Sequence, residues 1–113
     1  MEPRSLTGKE SAFVERMLAL AGLANSPFSK QLPSLRVLRR CDCGCPTLDF
    51  AIPPAGEPLV DAYAQTHEGK VVGAILWQKE GRLSSLELYP MAADPKELPH
   101  PDTLSFNSTS RAG

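Results

Sequence analysis

LVDAYAQTHEGKVVGAILWQKEGRLSSLELY, running from Leu59 to Tyr89, is the stretch whose reading decides the fold. It holds no proline in a chain that has 11, and it is broken twice by Glu-Gly followed by a basic residue, at Glu68-Gly69-Lys70 and Glu80-Gly81-Arg82. Glycine between two apolar runs supplies the positive φ that a tight hairpin needs. The stretch therefore reads as three antiparallel strands in a meander.

Taking both Glu-Gly pairs as two-residue turns sets the registers by counting outward. The second turn then opposes Lys79 to Arg82, Trp77 to Ser84, Ile75 to Leu86 and Gly73 to Leu88. The first opposes His67 to Lys70, Gly73 to Ala64, Ile75 to Ala62 and Trp77 to Val60. One face so defined carries Val60, Ala62, Ala64, Val71, Gly73, Ile75, Trp77, Leu86 and Leu88, and is expected to receive a helix. The other carries Asp61, Tyr63, Gln65, Val72, Ala74, Leu76, Ser85, Glu87 and Tyr89. Its apolar centre calls for cover, which makes Tyr63, Leu76, Glu87 and Tyr89 a candidate binding surface.

Upstream, Thr7-Gly-Lys-Glu10 has the form of a capping box, so a helix is expected from residue 8 to residue 24. Phe13, Val14, Met17, Leu18 and Ala21 recur along it at three- and four-residue intervals and give it one apolar face. Residues 25–33 form a connector, with Phe28 and Leu32 available to pin it. Strands are expected over 35–38 and 47–52, the second alternating Leu48, Phe50 and Ile52 with polar or small residues. Pro53 to Pro58 cannot continue a ladder, since three of its residues lack an amide hydrogen. After Tyr89, prolines space out a strap over 90–104. The expectation is one α+β domain over residues 1–104, followed by a disordered tail over 105–113. In it, an N-terminal helix packs on a mostly antiparallel sheet of about five strands, the last three a meander.

Composition narrows the function classes. With 42% hydrophobic and 22% charged residues the chain resembles ordinary folded proteins rather than disordered ones. Its 12 basic and 13 acidic residues give a net charge of -1, which provides no global field for nucleic acid or an anionic membrane. Neither a membrane-length apolar run nor a secretory signal is evident, so a cytoplasmic location is expected. The chain carries no P-loop, dinucleotide fingerprint or zinc-protease motif. Glu87 has the chemistry of a general base, although strand surfaces carry acids for solubility far more often.

The rival location for chemistry is Cys41-Asp-Cys43-Gly-Cys45, which holds all 3 cysteines. Thiolates bind zinc and other thiophilic metals and serve as redox centres. In an extended strand Cys41 and Cys45 would lie about 13 Å apart, so Cys41, Cys43 and Cys45 share one ion only if the chain curls at Gly44. His67 or His100 would then have to supply a fourth ligand, and buried structural thiols are the plainer expectation.

Three motifs, Cys43-Gly-Cys45-Pro-Thr47, Gly81-Arg-Leu-Ser-Ser-Leu-Glu-Leu-Tyr89 and Leu98-Pro-His-Pro101 with Leu104, resemble a small bacterial protein family with no assigned activity. The resemblance spans residues 22 to 104 and implies that the strap through Leu104 belongs to the domain. It implies no substrate, cofactor or catalytic residue. The sequence thus points first to a non-enzymatic binding or protein-interaction domain, self-associating through the outer sheet face and needing no cofactor. The alternatives are a cysteine-centred protein, holding zinc or another thiophilic metal or acting in thiol redox, and an immunity-like or regulatory protein that sequesters a partner.

Overall fold

The structure, a computed structural model, describes residues 3–40 and 45–106. Cys41, Cys43 and the expected tail from residue 107 onward lie outside the described residues. The fold is α+β. One helix, α1 (Gly8–Leu20), packs against a six-stranded antiparallel sheet built from β3 (Arg39–Arg40), β4 (Leu48–Asp49), β5 (Glu57–Gln65), β6 (Val71–Lys79), β7 (Arg82–Pro90) and β8 (Ser105–Phe106). The strand order is β3-β4-β7-β6-β5-β8, and a separate pair joins β1 (Arg4–Ser5) to β2 (Arg36–Val37). Strands β5, β6 and β7 form the expected meander, with β6 between its two neighbours. The boundary expected at residue 104 moves outward, because Ser105 and Phe106 pair with Tyr63 and Ala62. Among the described residues no helix is long and apolar enough to cross a membrane.

The two Glu-Gly sequences make different turns. Glu80 and Gly81 both take positive φ, 52° and 83°, and Lys79 opposes Arg82 as a two-residue hairpin requires. At the first turn the Thr66 amide donates to the Lys70 carbonyl at 2.8 Å, and the Gly69 amide donates to the Thr66 carbonyl at 2.8 Å. The loop is thus three residues long, His67-Glu68-Gly69, with Gly69 at φ 81° as its bulge residue. The Thr66 hydroxyl accepts from the Lys70 amide at 3.1 Å and holds that longer loop.

One extra loop residue shifts the register and turns β6 over. Tyr63 opposes Gly73 and Ala62 opposes Ala74, where two-residue counting had opposed Ala64 to Gly73. A bulge between Trp77 and Gln78 makes the compensating shift on the other side, so that Trp77 opposes Ser85 and Leu76 opposes Leu86. Strands β5 and β7 keep their expected faces. Strand β6 does not: Val72, Ala74 and Leu76 are buried against the helix, whereas Gly73, Ile75 and Trp77 occupy the outer face.

The core is assembled from Phe13, Val14, Met17 and Leu18 of α1 against Val60, Ala62, Ala64, Val72, Ala74, Leu76, Leu86 and Leu88. The capping box forms as expected, with Thr7 Oγ1 accepting from the Glu10 amide at 3.1 Å and Glu10 Oε1 accepting from the Thr7 amide at 2.8 Å. Arg4 grips the same carboxylate through two hydrogen bonds of 2.8 and 2.9 Å, tying β1 to the helix start. Burial alone would raise the Glu10 carboxyl pKa, but the Arg4 and Thr7 hydrogen bonds and the Arg4 charge outweigh it and hold it below its ordinary value. The helix stops at Leu20, short of the expected residue 24. The Gly22 amide returns to the Ala19 carbonyl and the Leu23 amide to the Leu18 carbonyl, the paired bonds of a Schellman motif.

Strand β4 is also shorter than expected, since the amides of Phe50 and Ala51 both bond the Ser84 carbonyl and end the ladder. Ile52 is consequently 60% exposed. Gln31 anchors the connector to the second hairpin, its Nε2 donating to the Gly81 carbonyl and its Oε1 accepting from the Leu83 amide. Leu98 and Leu104 pin the strap to the core.

The observed register separates two adjacent residues. Replacing buried Leu76 by alanine should destabilise the fold by about 2–5 kcal/mol in urea titration, and Ile75→Ala should cost clearly less. The register counted from two-residue turns requires the reverse order.

Candidate functional site

Across the outer face of the meander, Asp61, Ile75 and Glu87 form one row, and Tyr63, Gly73 and Tyr89 the next. The Tyr89 ring lies over Gly73, where any Cβ would collide with ring atoms Cζ, Cε1 and Cε2. An aromatic residue covering a cross-strand glycine is a recurring way to shield an exposed stretch of sheet backbone. Trp77 donates from Nε1 to Glu87 Oε1 at 3.0 Å, a diagonal contact between β6 and β7. Tyr89 has its pKa raised by burial first, then by the negative charges of Asp61 and Glu87. Oδ1 of Asp61 is buried and has no hydrogen-bond partner among the described residues.

Of these side chains, Trp77, Glu87 and Tyr89 floor a depression of about 700 Å³, while Asp61, Tyr63 and Ile75 lie beyond it. Trp77, Ser85, Glu87 and Tyr89 contribute from the meander, with Thr47, Asp49 and Cys45 from β4 and its approach. Pro54, Ala55 and Gly56 form one end, and Pro90, Asp94, Pro95 and Lys96 contribute the remaining lining. The sheet side is closely bonded. Thr47 Oγ1 accepts from the Leu88 amide at 2.9 Å, and Ser85 Oγ donates to the Leu48 carbonyl at 3.2 Å. Asp49, buried to 9% exposure, accepts from Arg39 Nε at 3.0 Å. Gly56, at φ 131°, lies so close to the Gln78 carbonyl that a Cβ there would overlap it, which seats the proline-rich loop against the end of β6.

Of the residues expected on the binding surface, Tyr63, Glu87 and Tyr89 are on this face and half-buried. Leu76 is not: it is fully buried in the core, because the three-residue turn at His67 to Gly69 inverts β6. Trp77 takes its place outside, contrary to the sequence expectation. Of the cysteines, Cys45 is half-buried at the margin of the same depression, so the two rival locations read from the sequence meet there. Among the described residues, no group of three or more His, Cys, Asp or Glu side chains is placed to hold a metal ion. His67 is exposed on the first turn, and His100 is exposed on the strap, its Nδ1 accepting from the Asp102 amide.

Asp49, Thr47, the 54–56 loop and Asp94 to Lys96 went unnoticed in the sequence, and only long-range packing brings them to the site. Trp77 was within reach of sequence reasoning, through the threonine that precedes His67-Glu68-Gly69. No known protein family model, curated protein or solved structure matches the chain.

Tyr89 offers a direct check of this geometry. In a Tyr63→Phe variant it is the sole tyrosine of the 2 in the chain, so ultraviolet absorbance follows it alone. Its midpoint should lie above the ordinary value of about 10, and adding Asp61→Asn should bring it down. A midpoint indifferent to Asp61 would place the ring elsewhere.

Proposed function

We propose that the chain is a non-enzymatic binding domain for a protein partner, with the outer-face depression as its binding site. The observation that carries this reading is the fixed placement of Trp77 and Tyr89 at one concavity, the first held by Glu87 and the second seated on Gly73. Tryptophan and tyrosine are enriched where interfaces concentrate their binding energy, and side chains already ordered on a rigid sheet lose little freedom on association. The floor hydroxyls and carboxylates are mostly engaged in structural bonds, which favours recognition over a reaction.

A second copy of the chain is one form such a partner takes. The cysteine reading keeps one supporting observation, the position of Cys45 at the rim. Its mark would be a stoichiometric thiophilic metal in protein purified without chelator.

A photoreactive benzoylphenylalanine at position 75, on the outer face, should give discrete adducts with a protein partner in cells. The same group at position 12, exposed on α1 beyond the other face of the sheet, should not. Sedimentation of the untagged protein separates self-association from a different partner. Equal adduct patterns at both positions would remove the outer face from consideration.

A further inference from the structure

We infer that the depression recognises a cation, an arginine or lysine side chain presented by an extended segment of the partner protein. This rests on the outer face being the binding site. The first argument is charge complementarity. Asp49, Glu87 and Asp94 line the concavity. The opposing cations are Arg39, already engaged by Asp49, and Lys96 in the lining. The balance around the site is therefore acidic in a chain whose overall charge is only -1.

The second argument is the company these carboxylates keep. Trp77 and Tyr89 stand beside them, and aromatic faces attract guanidinium and ammonium groups through the ring quadrupole. An aliphatic stem on such a side chain would lie against Pro54, Pro90 and Pro95 while its charged head reached the carboxylates. The volume of about 700 Å³ exceeds one side chain and suits a side chain together with its flanking backbone.

Trp77 is the only tryptophan, so its emission reports on the site in the intact chain. The probes are three blocked tripeptides, acetyl-Ala-Arg-Ala-amide and its citrulline and glutamate counterparts, each titrated to about 10 mM. The arginine peptide should produce a saturable change and bind at least about fivefold more tightly than the citrulline peptide, and the glutamate peptide should bind least. Glu87→Gln keeps an oxygen that accepts from Trp77 but removes the charge, and it should weaken the arginine peptide by about fivefold or more. Lys96→Ala removes a lining cation and should tighten it about twofold, a gain that misfolding does not mimic. Equal binding of all three peptides, or preference for glutamate, overturns the cation assignment while leaving the depression as a binding site. No response to any peptide also overturns it, and cross-linking at position 75 then decides separately whether the outer face binds at all.

Discussion

Strand β6 is hydrogen-bonded along both edges, to β5 on one side and β7 on the other, so its registers alone decide which of its residues meet the helix. A single residue in the loop at Thr66 to Lys70 and a single bulge near Trp77 set those registers. The two shifts have opposite senses, so β5 and β7 present the same faces that simple counting assigns, and only the strand between them is inverted. The consequence reaches both layers of the molecule. Inside, Val72, Ala74 and Leu76 complete the surface that receives Phe13, Val14, Met17 and Leu18. Outside, Gly73, Ile75 and Trp77 become the centre of the free face.

That inversion gives the small residues of the meander separate tasks. Ala62, Ala64 and Ala74 are fully buried and keep the inner face low, so the helix can approach the sheet closely. Gly73 serves the opposite side, where its missing side chain is the space that the Tyr89 ring occupies. Had Gly73 faced the helix, Tyr89 would have had no seat and would stand away from the sheet. The ring instead lies over Gly73, in the row next to that of Asp61 and Glu87, and burial together with those two carboxylates favours its neutral form.

Much of this architecture was legible in the residues. The capping box at Thr7 and Glu10, the apolar spacing from Phe13 to Leu18, the three strands and the alternation of β5 and β7 all follow from local chemistry. What escaped was parity. The two Glu-Gly turns look alike, but Thr66 offers its hydroxyl to the Lys70 amide and stabilises the longer loop, whereas at the second turn the Gln78 side chain accepts from the Gly81 amide. Since side chains alternate with a period of two, a one-residue difference is enough to exchange Leu76 and Trp77 between core and surface. The helix end was misplaced for a related reason: Gly22 supplies the stop before Asn25-Ser26-Pro27 is reached. The lining contributed by Asp49, the 54–56 loop and the 94–96 strap had no local signature, because it is brought to Trp77 only by the tertiary fold.

The site therefore combines a floor fixed by ladder bonds with walls fixed by proline. Strand pairing fixes the backbone of Trp77, Ser85, Glu87 and Tyr89, and their side chains are held by the Trp77–Glu87 bond, the Ser85 bond to the Leu48 carbonyl and the seat of Tyr89 on Gly73. The surrounding segments contain Pro54, Pro90 and Pro95, whose fixed φ limits the conformations those walls sample. Gly56 packs against the Gln78 carbonyl and fastens one wall to the same strand that supplies Trp77. On the proposed function, a surface built this way has little ordering left to do at the moment of contact. The proposed cation recognition then assigns its selectivity to charge, since aromatic and proline surfaces fit many apolar stems while carboxylates discriminate by the sign of what those stems carry.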